Sequence, residues 1–119
     1  MNKDQTVEMS IRVEPKSEDD FSSDVRVLAA IYEYTEVKKK RIWSPTIIEH
    51  FEGKLSVDSV FASLTRLHDQ AVIGTEFGSI EERRALCVFI RRGHGNIPYA
   101  KKFYEMIKKV KETNNTTSS

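Results

Sequence analysis

Apolar and polar positions alternate at the start of the chain. In "TVEMSIRVE", Val7, Met9, Ile11 and Val13 fall on one side and Glu8, Ser10, Arg12 and Glu14 on the other. That is the period of a half-buried strand, closed by Pro15. After the polar linker "KSEDD" the period changes. Phe21, Val25, Leu28 and Tyr32 recur at helical spacing and predict a helix to about Val37, with Asp20, Ser22 or Ser23 as N-cap. "RIW" reads as a short strand. Ser44 followed by Pro45 reads as an N-cap with proline at the first helical position, and Gly53 stands where that helix should stop. Ser56 caps the next helix, in which Val57, Val60, Phe61, Leu64 and Leu67 make one apolar face.

Beyond it, "AVIGTEF" and "ALCVFIRR" flank "GSIEERR" and predict a hairpin. The second run is apolar on both faces, so it is expected in the middle of the sheet. Pro98 opens the last helix. Ala100, Phe103, Ile107 and Val110 form a stripe at heptad spacing with Tyr104 beside it, while Lys101, Lys102, Lys108, Lys109 and Lys111 face elsewhere. No internal repeat is present. The expected class is α+β, mostly helical: a three-helix core with a β-hairpin, an N-terminal strand and a C-terminal helix. The expected divisions are 1–20 (strand and acidic linker), 21–95 (the main domain), 96–113 (C-terminal amphipathic helix) and 114–119 (disordered tail).

The helix after Ser56 raises a question through its other face. Ser59, Ala62 and Arg66 are expected opposite the apolar side, with Asp58 and Ser63 beside them. A solvated face usually fills with Lys and Glu; this one carries short side chains and one base.

The chain has 119 residues and a net charge of +1, with 39% apolar and 31% charged residues, the profile of an ordinary globular domain. The charge is uneven. Residues 1–24 hold seven acids against three bases, and residues 25–119 hold eleven acids against sixteen bases. A basic body is compatible with a polyanion partner without requiring one. No window approaches a membrane span, and "MNKDQTVEMS" lacks a signal peptide's apolar stretch, so a cytoplasmic protein without membrane association is expected. Cys87, the single cysteine, fits that compartment and is expected to be buried and inert within "ALCVFI". The sequons at Asn114 and Asn115 read as tail.

Residues 25–92 resemble a winged helix-turn-helix domain, with the nearest likeness to the MarR and PadR groups of transcriptional regulators. "IIEHFEGKLSVDSVFASLTRLHDQAVI" resembles their second helix, turn and recognition helix, with Leu64 and Leu67 at the family's core leucine positions. "GSIEERRALCVFI" resembles their wing tip and returning strand. Where the family has glycine after the recognition helix, this sequence has Ala71. A left-handed backbone there costs a non-glycine residue roughly 1 kcal/mol, so the helix is expected to end at Gln70 or with different geometry. Glu81 and Glu82 also depart from a phosphate-binding wing, although Arg83 and Arg84 adjoin them.

The resemblance implies that the small-residue face enters the major groove of double-stranded DNA, with the protein acting as a sequence-specific transcriptional regulator associated with the nucleoid. Ser59, Ser63 and Arg66 are then the base or backbone contacts, and Asp58 is placed to accept from cytosine's amino group or to repel phosphate. Ser44, Thr46, Lys54 and Ser56 near helix starts, with Arg83 and Arg84 in the wing, would hold phosphates. The stripe Ala100, Phe103, Tyr104, Ile107 and Val110 resembles a PadR-like dimerisation helix and implies a homodimer. The other arrangement is that this helix packs back onto Phe21, Val25 and Leu28 within one subunit.

A second functional class stays open: a winged helix serving as a protein-interaction module in a replication or transcription assembly, which the acids Asp58, Glu81 and Glu82 favour. An enzyme is not expected, because no paired carboxylates, nucleophile–base pair or phosphate loop stands at meaningful spacing. No cofactor is expected, and no metal, since His50, His68 and His94 are scattered. His68 reads as a packed histidine on the apolar side of its helix. "KKKR" (38–41) reads as a solvated charge run, with a phosphate anchor or a nuclear signal as its other uses, and "RRGHGN" reads as the turn before the last helix. Trp43, Tyr32 and Tyr34 read as core, with a small-molecule effector pocket as their other use.

Overall fold

The computed structural model describes residues 15–118, with side chains described as far as Thr113. The strand expected over Val7–Val13 lies outside the described residues. The first described element is a 3₁₀ turn, Glu18–Asp20, in which the Asp20 carboxylate accepts from the backbone N–H groups of Lys16 (2.7 Å) and Ser17 (3.2 Å). Those two bonds hold its carboxyl below the ordinary carboxylate range.

Helix α1, Ser23–Tyr32, starts at Ser22, whose hydroxyl accepts from the Val25 N–H at 3.2 Å. From Val27 to Tyr32 every residue is buried, so α1 is the central helix and not a surface one. It passes directly into a π-helical turn, Glu33–Val37, where Thr35 Oγ1 donates to the Ile31 carbonyl at 2.8 Å. Strand β1, Ile42–Trp43, leads into α2, Ser44–His50, with Pro45 in its first turn. The N-cap is Trp43; Ser44 does not cap the helix with its side chain. Helix α3, Val57–Asp69, is capped by Ser56, whose Oγ accepts from the Ser59 N–H at 3.1 Å.

Strands β2, Ile73–Ile80, and β3, Arg83–Ile90, form an antiparallel hairpin, and β1 pairs with the far side of β3. The doubly apolar run is therefore the middle strand, with Val88 opposite Ile42 on one side and Thr75 on the other. The hairpin is longer than the hydrophobic pattern indicates. Gly78–Ile80 and Arg83–Arg84 lie within the strands, leaving Glu81 and Glu82 as a two-residue turn with φ of 50° and 67°. Both residues adopt the left-handed region that such tight turns demand.

Val27, Leu28 and Ile31 of α1 meet Ile42, Ile47, Phe51, Val60, Leu64, Leu67, Ile73, Val88 and Ile90 in one core. Helix α4, Asn96–Ser118, packs along α1, with Ala100 in that core and Ile107 in a second cluster with Phe21 and Ala29. Val25, Tyr104 and Val110 border the second cluster. The helix runs on to Ser118, through the tail expected to be disordered.

The end of α3 differs from the expected departure. Ala71 takes φ +62°, the left-handed geometry where the resembling families place glycine. Its N–H donates to the His68 carbonyl, and the Val72 N–H donates to that of Leu67, each at 3.0 Å. This is a Schellman closure built on alanine. Buried Asn96 enforces it, donating from Nδ2 to the carbonyls of Ala71 (3.1 Å) and Arg91 (3.0 Å). Glycine at this position relieves roughly 1–2 kcal/mol of backbone repulsion and gives back about 0.4–1 kcal/mol through a freer unfolded chain. Ala71→Gly is therefore expected to stabilise the protein by roughly 0.5–1 kcal/mol, measured by urea unfolding with an unchanged m value.

Candidate nucleic-acid interface

Helix α3 buries Val60, Ser63, Leu64 and Leu67. At 100° per residue this stripe leaves Asp58, Ala62, Thr65 and Asp69 on the opposite side. Phe61 and His68 form one flank, Ser59 and Arg66 the other. The helix is thus rotated from the orientation its apolar residues suggest. Val57 is 49% exposed and Phe61 43%, although both were expected on the core side. His68 is likewise solvent-facing, with its Nδ1 4.0 Å from the Asp69 carboxylate, and is not a packed core histidine.

Two expected contacts, Ser63 and Ser44, are corrected by burial, and a third, Arg66, is engaged within the fold. Ser63 is fully buried, and its hydroxyl donates to Ser23 Oγ of α1 at 2.9 Å, so it cannot reach a groove. Its small side chain serves the α1–α3 crossing. Arg66 is committed to Asp24 of α1: Nε lies 3.1 and 3.0 Å from the two carboxylate oxygens, and Nη2 is 2.8 Å from Oδ1. Such a fork of parallel bonds is the strongest geometry an exposed arginine adopts. Ser44 is buried beneath the sheet, with its hydroxyl accepting from the Leu86 N–H at 3.4 Å.

The other expected residues remain accessible. Ser59 and Thr46 are half-buried, and Ser56 is exposed while holding its cap. Asp58 is exposed at the start of α3. Lys54 is exposed but reaches Glu18 Oε1 at 3.4 Å. Arg83 and Arg84 project from the wing, and the Arg84 guanidinium lies 5.3 Å from the centre of the Phe77 ring, which is 75% exposed. Glu81 and Glu82 occupy the wing tip itself.

Ala62 lies on the outward face as expected; Thr65 and Asp69 are the surface residues that sequence reasoning left out, and Phe61 the one it turned inward. A signal was available. Val60, Leu64 and Leu67 alone define an axis from which Phe61 lies well round the helix, and the small Ser63 completes the buried side.

The remaining candidates resolve as packing. Tyr32 stacks on Tyr104 at 5.3 Å, Tyr34 meets His50 edge-on at 6.0 Å, and Trp43 lies over Gly78, where a Cβ would come within 2.7 Å of the indole. Cys87 is buried, which pushes its thiol pKa up. Among the described residues no group of three or more His, Cys, Asp or Glu side chains is placed to hold a metal ion.

Most of the predicted stripe on α4 is used within the subunit: Ala100, Tyr104, Ile107 and Val110 pack against α1 and the residues around it, as one of the two sequence readings had it. Phe103 alone lies apart, in an outward apolar line with Tyr99 (49% exposed) and Met106 (36%), which the stripe did not include; its ring meets Tyr99 at 4.9 Å.

A helix–turn–helix, α2 and α3, is thus closed by a three-stranded antiparallel sheet whose long hairpin projects beside α3. The fold is a winged helix. The circadian clock associated protein Pex from Anabaena superimposes with a TM-score of 0.61 over 97% of this chain and 99% of that one, at 11% identity. ZitR from Lactococcus lactis, a zinc-responsive MarR family member, gives 0.57 over 81% of this chain and 59% of its own, at 21% identity. A PadR family transcription regulator from Clostridium difficile gives 0.51 over 76% of this chain and 95% of its own, at 18% identity. At these identities the likeness is one of fold. The sequence matches no protein-family model and no curated protein sequence. No described helix of this winged helix is long and apolar enough to cross a membrane.

The Arg66–Asp24 bridge makes a pH prediction. The hydrogen bond from Arg66 outweighs partial burial and holds the Asp24 carboxyl below its usual range; the Arg66 pKa moves up in return. A carboxyl depressed on folding stabilises above its unfolded pKa and loses that contribution as pH falls through the folded value. Arg66→Gln is expected to lower the melting temperature at neutral pH, with the difference from wild type vanishing toward about pH 2.

Proposed function

We propose that this winged helix is a transcriptional regulator that binds double-stranded DNA as a homodimer, with α3 in the major groove. The observation that carries the reading is the outward face of α3: Asp58, Ser59, Ala62 and Thr65 are short, and Phe61 stands beside them. Long solvated side chains would hold a helix away from base edges; these allow close approach. Phe61, Ala62 and Thr65 suit the methyl group of thymine, and Asp58 suits the amino group of cytosine. Thr46, Ser56, Arg83 and Arg84 would hold phosphates and set register. A dimer would double the footprint and place two α3 helices about 34 Å apart, one turn of DNA. Tyr99, Phe103 and Met106 are the apolar surface on α4 left for that contact.

A second reading has its own observation. Val57, Phe61 and Phe77 are large exposed apolar groups on α3 and the wing, accompanied by Asp58, Asp69, Glu81 and Glu82, a combination that also suits a protein partner.

The test is retention of fragments of the source genome at two salt concentrations with competitor DNA present. On the DNA reading, Phe61→Ala costs about 1–3 kcal/mol on the preferred site and relaxes selection at one base pair. Arg83→Ala weakens all sequences alike and reduces the salt slope by about one unit. Absence of binding at either salt would transfer the surface to the protein-partner reading. For the dimer, Met106→Glu is expected to convert the protein to monomers in sedimentation velocity, whereas an unchanged sedimentation coefficient would remove α4 from the contact.

A further inference from the structure

A separate cleft of about 180 Å³ opens between the Glu18–Asp20 turn, α1, the end of α2 and α4; no residue of α3 or the wing lines it. Its lining includes Glu18, Arg26, Glu33, His50, Lys108 and Lys111. Arg26 is the anomaly. Its side chain is only 10% exposed, its Nη1 reaches Asp19 Oδ1 at 3.3 Å, and its Nε has no hydrogen-bond partner among the described residues. Asp19 itself is 82% exposed, so its charge is largely spent on water. A guanidinium carries five donors, and withdrawing it from water with one long bond leaves an unmet demand for an acceptor.

The acids in the cleft do not meet that demand. Glu18 is shared between Lys54 (3.4 Å) and Lys111 (3.5 Å), and Glu33 lies 3.9 Å from Lys38. Lys108 adds a further cation, exposed at the rim. His50 is half-buried, with its ring held between Tyr34 and Phe51. Burial, the largest influence, lowers its pKa, and the nearby Lys111 and Lys54 act in the same direction against Glu33 and Glu18. A neutral imidazole keeps one N–H to donate.

We propose that this cleft binds a small oxyanion, a phosphate or carboxylate group, held by Arg26, Lys108 and His50. Its volume suits one such group and lies below the roughly 300–1,000 Å³ of pockets that enclose drug-sized ligands. The lining comes from α1, the end of α2 and α4, so a bound anion joins the C-terminal helix to the helix–turn–helix body. If the proposed function holds, that is where dimer contact and DNA reading meet; the binding itself does not depend on it.

The full chain is titrated with sodium phosphate and, separately, with sodium acetate at constant ionic strength, following the histidine ring protons by NMR. His68 and His94 serve as internal references. A saturable shift confined to His50, with its pKa rising as the anion binds, is the expected result. Response to phosphate alone, acetate alone or both supports the site and identifies the anion class. Arg26→Gln should weaken binding about tenfold or more, the loss of a charge-assisted hydrogen bond. Lys108→Gln, at an exposed position that the fold does not need, should weaken it as well. No response to either anion, equal shifts at all three histidines, or undiminished binding by the Lys108→Gln protein overturns the proposal. No DNA enters the measurement, so its failure is distinct from failure of the regulator reading.

Discussion

Six consecutive buried residues, Val27–Tyr32, mean that α1 is packed around its whole circumference. An ordinary amphipathic helix turns one stripe inward; here α3, α4 and the sheet approach α1 from different sides. Ala29 and Ala30 keep its girth small enough for that approach, while Leu28 and Ile31 fill the space between neighbours. The consequence falls on the first turn of α1, which is polar. Ser23, Asp24 and Arg26 are close enough to neighbouring elements to need partners from them, and they take Ser63, Arg66 and Asp19. Of the side chains that α3 lends to α1, Ser63 is therefore closed off, while Arg66 is engaged by Asp24 with its side chain still 52% exposed.

That constraint explains which parts of the architecture were legible in the sequence. The order of elements from α1 onward, the middle position of β3, the cap at Ser56 and the burial of Cys87 all follow from local periodicity or hydroxyl chemistry, whereas for α1 the hydroxyl and carboxylate chemistry left Asp20, Ser22 and Ser23 open. The facing of α3 does not. Phe61 and Val57 are apolar and looked inward, while Ser63 is polar and looked outward; only the approach of α1 reverses them. The Arg66–Asp24 bridge spans 42 positions and leaves no trace in local pattern. The hairpin was underestimated for a different reason: Glu81 and Glu82 have none of the Asn-Gly character by which a tight turn announces itself.

The same substitution of tertiary for local preference recurs in the backbone. Lys39, Ala71, Glu81, Glu82 and His94 all have positive φ without being glycine. At Ala71 the compensation is visible in Asn96, which ties the Ala71 carbonyl, just past α3, to that of Arg91, just past β3. At the wing tip the strand register on either side supplies it, from Ile80–Arg83 down to Ile73–Ile90. Left-handed residues other than glycine make these turns harder to form in the unfolded chain but narrower once formed. A wing joined by such a turn keeps Arg83 and Arg84 in a defined relation to α3.

On the DNA reading, charge then divides the labour of the surface. The outward side of α3 offers Asp58 and Asp69 and, with Arg66 tied to Asp24, no unengaged arginine or lysine. Two like charges 4 Å apart in water repel by about 1 kcal/mol, and physiological salt screens charges beyond roughly 8 Å, so each aspartate weakens every sequence by a modest amount. A donor opposite Asp58 can recover its share; Asp69 has no such role assigned. An acid on the reading face thus lowers non-specific affinity more than affinity for a matched site, which is discrimination by exclusion. The general attraction to phosphate must come from Arg83, Arg84 and the helix starts. On that reading a surface organised this way would bind weakly as a single copy, and a second copy across α4 would be the direct means of raising affinity without adding bases that would blur the selection.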